Sequence, residues 1–148
     1  SVDDVRRLID SLRPAALDEL GLIAAIREGT ADLQRAGLHI SVEAPADLGA
    51  ISAATETAAY RIVMEGVTNV VRHARASHCR VSLAVDGDDL RIEIADDGAG
   101  IAPQAPVGVG LNSMQERASE LDGTLTVGAR FGIGTTVVAR LPRQVGAA

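Results

Sequence analysis

Lysine is missing altogether, so all of the chain's basic residues are arginines. That absence excludes a P-loop, whose Gly-Lys-Ser/Thr needs the amine on its phosphates, and a Schiff-base mechanism. It also excludes a kinase of the eukaryotic type with its strand lysine. Aromatic side chains are almost as scarce, with Tyr60 and Phe131 and no tryptophan. The core must therefore be aliphatic, and little is present that could stack on bases. The formal charge is −6, with no long basic run. Nucleic-acid binding is thus disfavoured, because that interface needs phosphate neutralisation. Cys79 stands alone, which leaves no disulfide framework and no cluster with metal-ligand spacing. It reads as a buried structural thiol. No apolar run approaches the ~18 residues of a membrane span, and no signal-peptide pattern opens the chain. The composition suits a cytoplasmic domain without membrane contact of its own. An opening on a helical pattern, with no initiator Met, suggests a fragment of something longer.

What is present is enough for one domain with a real core, since nearly half of the 148 residues are apolar. Val2, Val5, Leu8, Ile9 and Leu12 recur at helical spacing over 1–12, and Arg13-Pro14 interrupts them. The spacing predicts a second helix over 16–36, stopped by Gly37, and a strand at "LHISVEA". Ser52 can cap a long helix that runs to about Ala74. "HCRVSLAVDG" and "DLRIEIAD" alternate on either side of Asp86-Gly87-Asp88, a hairpin signal. A loop rich in Gly, Pro and Ala follows, then a short helix, "LNSMQERASEL". A second hairpin turns around "FGIG". This order predicts an α/β sandwich: a mixed, mainly antiparallel five-stranded sheet, about three helices on one face, and an N-terminal helical remnant.

The long helix carries the first chemistry. In "YRIVMEGVTNVVRHA", Arg61, Glu65, Asn69, Arg72 and His73 share one face, opposite Val63, Val67, Val70, Val71 and Ala74. A solvated face would account for such a stripe. Yet Asn inside a helix competes with the backbone, and Glu65 with Asn69 one turn on would offer two oxygens to a hard cation such as Mg²⁺. Three glycine segments follow in order: "DDGAG" at 96–100, "GVGL" at 108–111 and "GIGTT" at 132–136. Each alone is weak; "GVGLNS" fails the dinucleotide fingerprint, since Ser113 stands where a third glycine is required. Behind Glu-x-x-x-Asn on a helix they make a specific set. His39 and His78, at strand-like positions, read as structural residues without partners.

From about Leu22 to Leu141 these motifs resemble the ATP-binding catalytic domain of a bacterial two-component sensor histidine kinase. The wider group shares the Bergerat (GHKL) fold with gyrase, Hsp90 and MutL. "YRIVMEGVTNVVRHA" resembles the N box, and the three glycine segments resemble the three glycine boxes. "LRPAALDELGL" is similar to the junction in kinases that pair with response regulators of the NarL type. Residues 1–15 then look like the tail of a dimerisation helix and its linker, and 16–148 like the catalytic domain.

The resemblance implies roles by position. Asp96 would accept a hydrogen bond from the adenine amino group, with Gly98 and Gly100 clearing space for the ring and Thr135 supporting Asp96. Asp97 would be a turn or helper residue. Asn69 would hold Mg²⁺ against the phosphates of ATP, and Arg72 and His73 would contact phosphate oxygens. Gly108 and Gly110 would end a mobile lid and bring the next helix to the phosphates, with Leu111 near the pocket. Glu65 would be the catalytic residue, orienting Mg²⁺ or water, with general base as the lesser role. The loop over 102–107 is shorter than in the commonest histidine kinases and has no phenylalanine box.

Implied partners are the kinase's own dimerisation domain, carrying the acceptor histidine, and a NarL-type response regulator. The parent would be a homodimer and could be membrane-anchored. Two other readings stay open: a serine kinase of the anti-sigma-factor type, and a non-catalytic nucleotide-binding module. The junction argues against the first, and intact Glu65, Asn69 and Asp96 argue against the second.

Overall fold

Alternating aliphatic residues decide the architecture, because every second side chain of four strands points into one shared core. The computed structural model describes residues 2, 4–5, 12–34, 37–99, 109–130 and 133–144. In order they form α1 (Ala15–Leu20), α2 (Leu22–Leu33), β1 (His39–Glu43), α3 (Ala53–Asn69), β2 (His78–Asp86), β3 (Asp89–Asp96), α4 (Val109–Glu120), β4 (Thr124–Arg130) and β5 (Gly134–Pro142). The five strands lie in the order β1-β2-β3-β5-β4. β1 runs parallel to β2, which requires the long crossover that contains α3; the other pairings are antiparallel. The mixed, mainly antiparallel sheet read from the sequence is therefore the sheet that forms.

Cys79, Val81 and Leu83 on β2, Leu90, Ile92 and Ile94 on β3, and Val137, Ala139 and Leu141 on β5 are buried on the helix-covered face. Against them lie Ile26 from α2, Ala59, Ile62, Val63 and Val67 from α3, and Met114 and Ala118 from α4. Each large aliphatic side chain so buried contributes about 1.5–3 kcal/mol relative to exposure. No helix among the described residues is long and apolar enough to cross a membrane.

Two helices depart from expectation. The single helix anticipated over 16–36 is broken at Gly21, whose φ of 82° and ψ of 170° lie outside the helical region. The Gly21 amide closes α1 on the Leu17 carbonyl, and its own carbonyl receives Ala25 N–H to start α2. The bend lets Leu17 and the Leu22–Ile26 face reach one core. α2 ends at Leu33, with Gln34 extended. The helix expected to reach Ala74 is an α-helix only to Asn69, and Val70–Ala74 form a single π turn ended by Arg75 at φ 53°. Of the helix expected over 1–12, residues 2, 4, 5 and 12 are described; the first three are helical, and Leu12 lies in a bend outside the helix.

α3 is pinned at its start. Ser52 caps it, its Oγ accepting from Thr55 N–H and donating to Thr55 Oγ1. The fully buried Thr55 hydroxyl donates in turn to the Pro142 carbonyl at 2.7 Å. Arg13 reaches the same helix: Nη1 donates to the Ala53 carbonyl and Thr57 Oγ1 and Nη2 to Glu56, while Nε donates to Asp18 on α1. Arg61 Nη2 donates to the Leu12 carbonyl. Leu12 and Arg13 are thus strapped to the first half of α3.

Pro142 pairs with Asp89 at the start of β3, so α3 and β3 begin at one end of the sheet and run the same way. Eleven helical steps (Thr55 to Gly66) and five strand steps (Asp89 to Ile94) both cover about 16 Å, and Gly66 does face Ile94. Asn69 and Asp96 consequently arrive at the same end of the molecule. Replacing Thr55 with Val removes one buried donor and strands the Pro142 carbonyl. The expected loss is about 1–3 kcal/mol, seen in urea unfolding as a lower midpoint with an unchanged m-value.

Candidate functional site

The inward row of β3 reads Leu90, Ile92, Ile94 and then Asp96, so a carboxylate occupies the last core-facing position. The register sets Asp96 beside Cys79 on β2 and Thr135 on β5. It is half-buried, and its Oδ1 accepts the Gly98 amide at 2.8 Å. Burial raises its pKa above the ordinary carboxylate range, helped by the charge of Asp97, while the Gly98 and Thr135 amides pull it back. The Cys79 thiol alongside is buried, and desolvation, followed by the charges of Asp96 and Asp97, pushes its pKa up to about 12. It therefore stays protonated and inert at neutral pH, as the sequence suggested.

Gly134 makes this corner possible. At φ 143° it lies so close to the end of β3 that a Cβ would strike the Asp96 carbonyl oxygen and come 3.3 Å from Asp97 Cα. Only a bare backbone lets the β4–β5 hairpin press against the turn that presents Asp96. Gly98 is buried in that turn. Thr135 is half-buried opposite Asp96.

Asp97 points to a different set of partners. Its Oδ1 accepts the amides of Ser77 and His78 at 2.8 and 2.9 Å, and its Oδ2 lies 3.1 Å from His78 Nδ1. Its own amide donates to the His78 carbonyl. The His78 amide first, then the Ser77 amide and the imidazole, hold its pKa below the ordinary value. His78 is therefore not the partnerless histidine expected; it is bonded to Asp97, and its ring meets His39 edge-on at 6.2 Å.

On α3, Glu65 and Asn69 are half-buried, while Arg72 and His73 are exposed on the π turn. A π turn is uncommon and is found disproportionately at functional sites. Arg61, expected on the same stripe, is drawn instead toward Leu12. In α4, Gly110 lies in the first turn, Leu111 packs half-buried against the core and Met114 is fully buried. Gly100, Gly108 and the 102–107 loop lie outside the described residues. The fold thus brings Asp96, Gly98 and Thr135 into one corner and Glu65, Asn69, Arg72 and His73 to the same end.

No group of three or more His, Cys, Asp or Glu among the described residues could hold a metal by itself. Glu65 and Asn69 supply hard oxygens, a donor set that fits Mg²⁺ when phosphate oxygens complete the coordination. Two concavities among the described residues lie elsewhere. One, of about 590 Å³, overlies α4 at Asn112, Gln115, Glu116, Ser119 and Glu120. The other, of about 490 Å³, separates the α1–α2 bend from the connector over 46–51. Neither includes Asp96 or Asn69.

Residues 54–145 match the family described as histidine kinase-, DNA gyrase B-, and HSP90-like ATPase. Over 145 residues the chain is 37% identical to the signal transduction histidine-protein kinase/phosphatase UhpB of Salmonella typhimurium, covering 96% of this chain and 29% of that protein. It is 34% identical to the sensor histidine kinase MctS of Rhizobium johnstonii, covering 97% of this chain and 32% of the other. The chain spans about a third of the length of these curated relatives. Among solved structures, full-length ShkA in complex with AMPPNP superposes with a TM-score of 0.69 at 24% identity, over 93% of this chain and 32% of that one. That likeness establishes the fold.

The two neighbouring carboxylates make opposite contributions to stability. The pKa of Asp96 is raised on folding, so its ionised form costs stability above that folded value, and the cost disappears below the ordinary carboxylate pKa. Asp96→Asn is expected to raise Tm at pH 7, with the gain vanishing near ~pH 3; thermal melts at the two pH values check the sign.

Proposed function

We propose, on the premise that the chain belongs to the histidine kinase-, DNA gyrase B- and HSP90-like ATPase family, that it is the ATP-binding catalytic domain of a sensor histidine kinase. It donates the γ-phosphoryl of ATP to a histidine on a separate dimerisation domain. The observation that carries this reading is Asp96 at the end of an apolar row, half-buried, with the Gly98 and Gly134 backbones pressed close around it. A carboxylate held in that setting is suited to accept hydrogen bonds from an exocyclic amine, and it would select adenine over guanine, which offers a carbonyl at that position.

The remaining roles are those that the resemblance implies, and charge and position support them. Asn69, with Glu65 one turn before it, would hold Mg²⁺, which when bound neutralises charge on the phosphates. Arg72 and His73 contribute donors to phosphate oxygens, and so do the first amides of α4, near Gly110. Gly100 and Gly108, outside the described residues, keep the roles that the resemblance implies for them, and Leu111 would lie near the base. Phosphoryl transfer depends mostly on such positioning and charge neutralisation. The P–O bond to the leaving ADP breaks, the lone pair of the unprotonated imidazole nitrogen forms the new P–N bond, and the proton on the other ring nitrogen is released. Glu65, one turn before Asn69, would orient Mg²⁺ or water, with general base as its secondary role.

The names of the two relatives support a histidine acceptor over a serine one. Residues 1–15 would be the end of the dimerisation helix and its linker, and 16–148 the catalytic domain. The parent would be a homodimer that passes the phosphoryl group to a NarL-type response regulator.

Titration calorimetry with a non-hydrolysable ATP analogue tests the site. Asp96→Asn should weaken binding about a hundredfold, since an amide presents donors as well as an acceptor to the adenine amine. Asn69→Ala should remove the Mg²⁺ dependence of affinity while leaving Mg²⁺-free binding nearly intact. None of the chain's three histidines is followed by an acid, so incubation with γ-labelled ATP should leave no stable phosphate on it. Unchanged affinity in Asp96→Asn would sink the assignment.

A further inference from the structure

Of the two acids that follow β3, Asp97 is the one for which the nucleotide reading has no use. It is nevertheless the better connected. Its carboxylate accepts two backbone amides and approaches one imidazole, all from Ser77 and His78. Those two residues follow the π turn that carries Arg72 and His73 after only Arg75 and Ala76, and Arg75 has left the helical region at φ 53°. The bond from Asp97 N–H to the His78 carbonyl, at 3.3 Å, closes the ring of contacts. Ser77 is held from its other side as well, because its carbonyl accepts His39 N–H from β1.

One side chain therefore joins two segments that sequence separates by about twenty residues. One segment leaves the α3 end of the site, and the other is the turn that presents Asp96. We infer that Asp97 is a positioning residue for nucleotide binding, locking the exit of the π turn to the Asp96–Gly98 turn so that both halves of the ligand are met at one fixed spacing. This rests on the nucleotide reading above. It assigns Asp97 no contact with the ligand. The requirement is geometric: an acceptor oxygen at the distance an aspartyl side chain provides, aimed at two adjacent amides.

Three variants of this chain separate geometry from charge. Asp97→Asn keeps an acceptor oxygen at the same reach and loses the charge. Asp97→Glu keeps the charge and moves the acceptor by one methylene. Asp97→Ala loses both. ADP affinity is measured by calorimetry at a temperature where circular dichroism shows each variant folded, and exchange of the Ser77 and His78 amides is followed by NMR without ligand. Asp97→Ala should bind roughly tenfold more weakly, the equivalent of one or two net hydrogen bonds. Asp97→Glu should be weakened several-fold, and Asp97→Asn should stay within about threefold of the parent. The Ser77 and His78 amides should exchange at least about tenfold faster in the Ala and Glu variants, and near the parent rate in Asn.

Parent-like affinity in Asp97→Glu overturns the inference even where Asp97→Ala does not fold, and so does an Asn variant as weak as Glu. Asp96→Asn serves as the control. If it binds ADP as the parent does, the nucleotide reading has failed; if it loses binding while the Asp97 variants keep it, only the positioning role has failed.

Discussion

The pairing of β3 with β5 is the constraint on which the functional end depends. Its register, with Ile94 opposite Val137 and Asp96 opposite Thr135, carries an aliphatic row to the rim of the core and ends it on a carboxylate. A slip of one residue would turn the row to solvent and set Asp97 in its place. The aliphatic side chains behind Asp96 enforce that register, so the stability of the core and the placement of the acid have one cause. The nearly complete lack of aromatic residues bears on this. A core of Val, Ile, Leu and Ala can be set close beneath a half-buried carboxylate without filling the space in front of it.

Adjacent acids in one turn have been given opposite electrostatic settings. Asp96 faces inward, loses hydration and holds its proton more readily than a free carboxyl. Asp97 faces outward, collects amides and holds its proton less readily. The first environment suits a group that must exchange water for a ligand. The second suits one whose partners are already in place. Chemically identical side chains thus divide into a desolvated acid and a fastening, a separation made by the alternation of faces at the end of β3.

Much of this fold was legible in the chain, because its signals are local. Alternation in "HCRVSLAV" and "DLRIEIAD", the Asp-Gly-Asp turn and the Ser52 cap each act within a few residues, and each formed as read. The sequence also pointed to Asp96 over Asp97, although through resemblance and not geometry. What it did not disclose were features that depend on distant partners or on small backbone choices. Gly21 sits in a run whose apolar periodicity continues on both sides, and only the need to seat Leu17 and Ile26 in one core makes it a bend. The π turn has the same residue pattern as one more α turn. The tie between His78 and Asp97 spans nineteen residues and involves backbone amides, which carry no side-chain signature.

The anchoring of α3 has a mechanical meaning. Its first turn is bonded to β5 through Thr55, and its flank is strapped to Leu12 and Arg13. From Ser52 to Asn69 the helix is a rod of about 25 Å, hydrogen-bonded near its start and seated on the core along its length by Ala59, Ile62, Val63 and Val67. Rotating such a rod by a single degree about its start moves the far end by about 0.4 Å. That is close to the ~0.5 Å tolerance within which catalytic groups must be held. Leu12 and Arg13 grip the rod near its start. A small shift at Leu12 or Arg13 is therefore carried along the helix toward its Asn69 end.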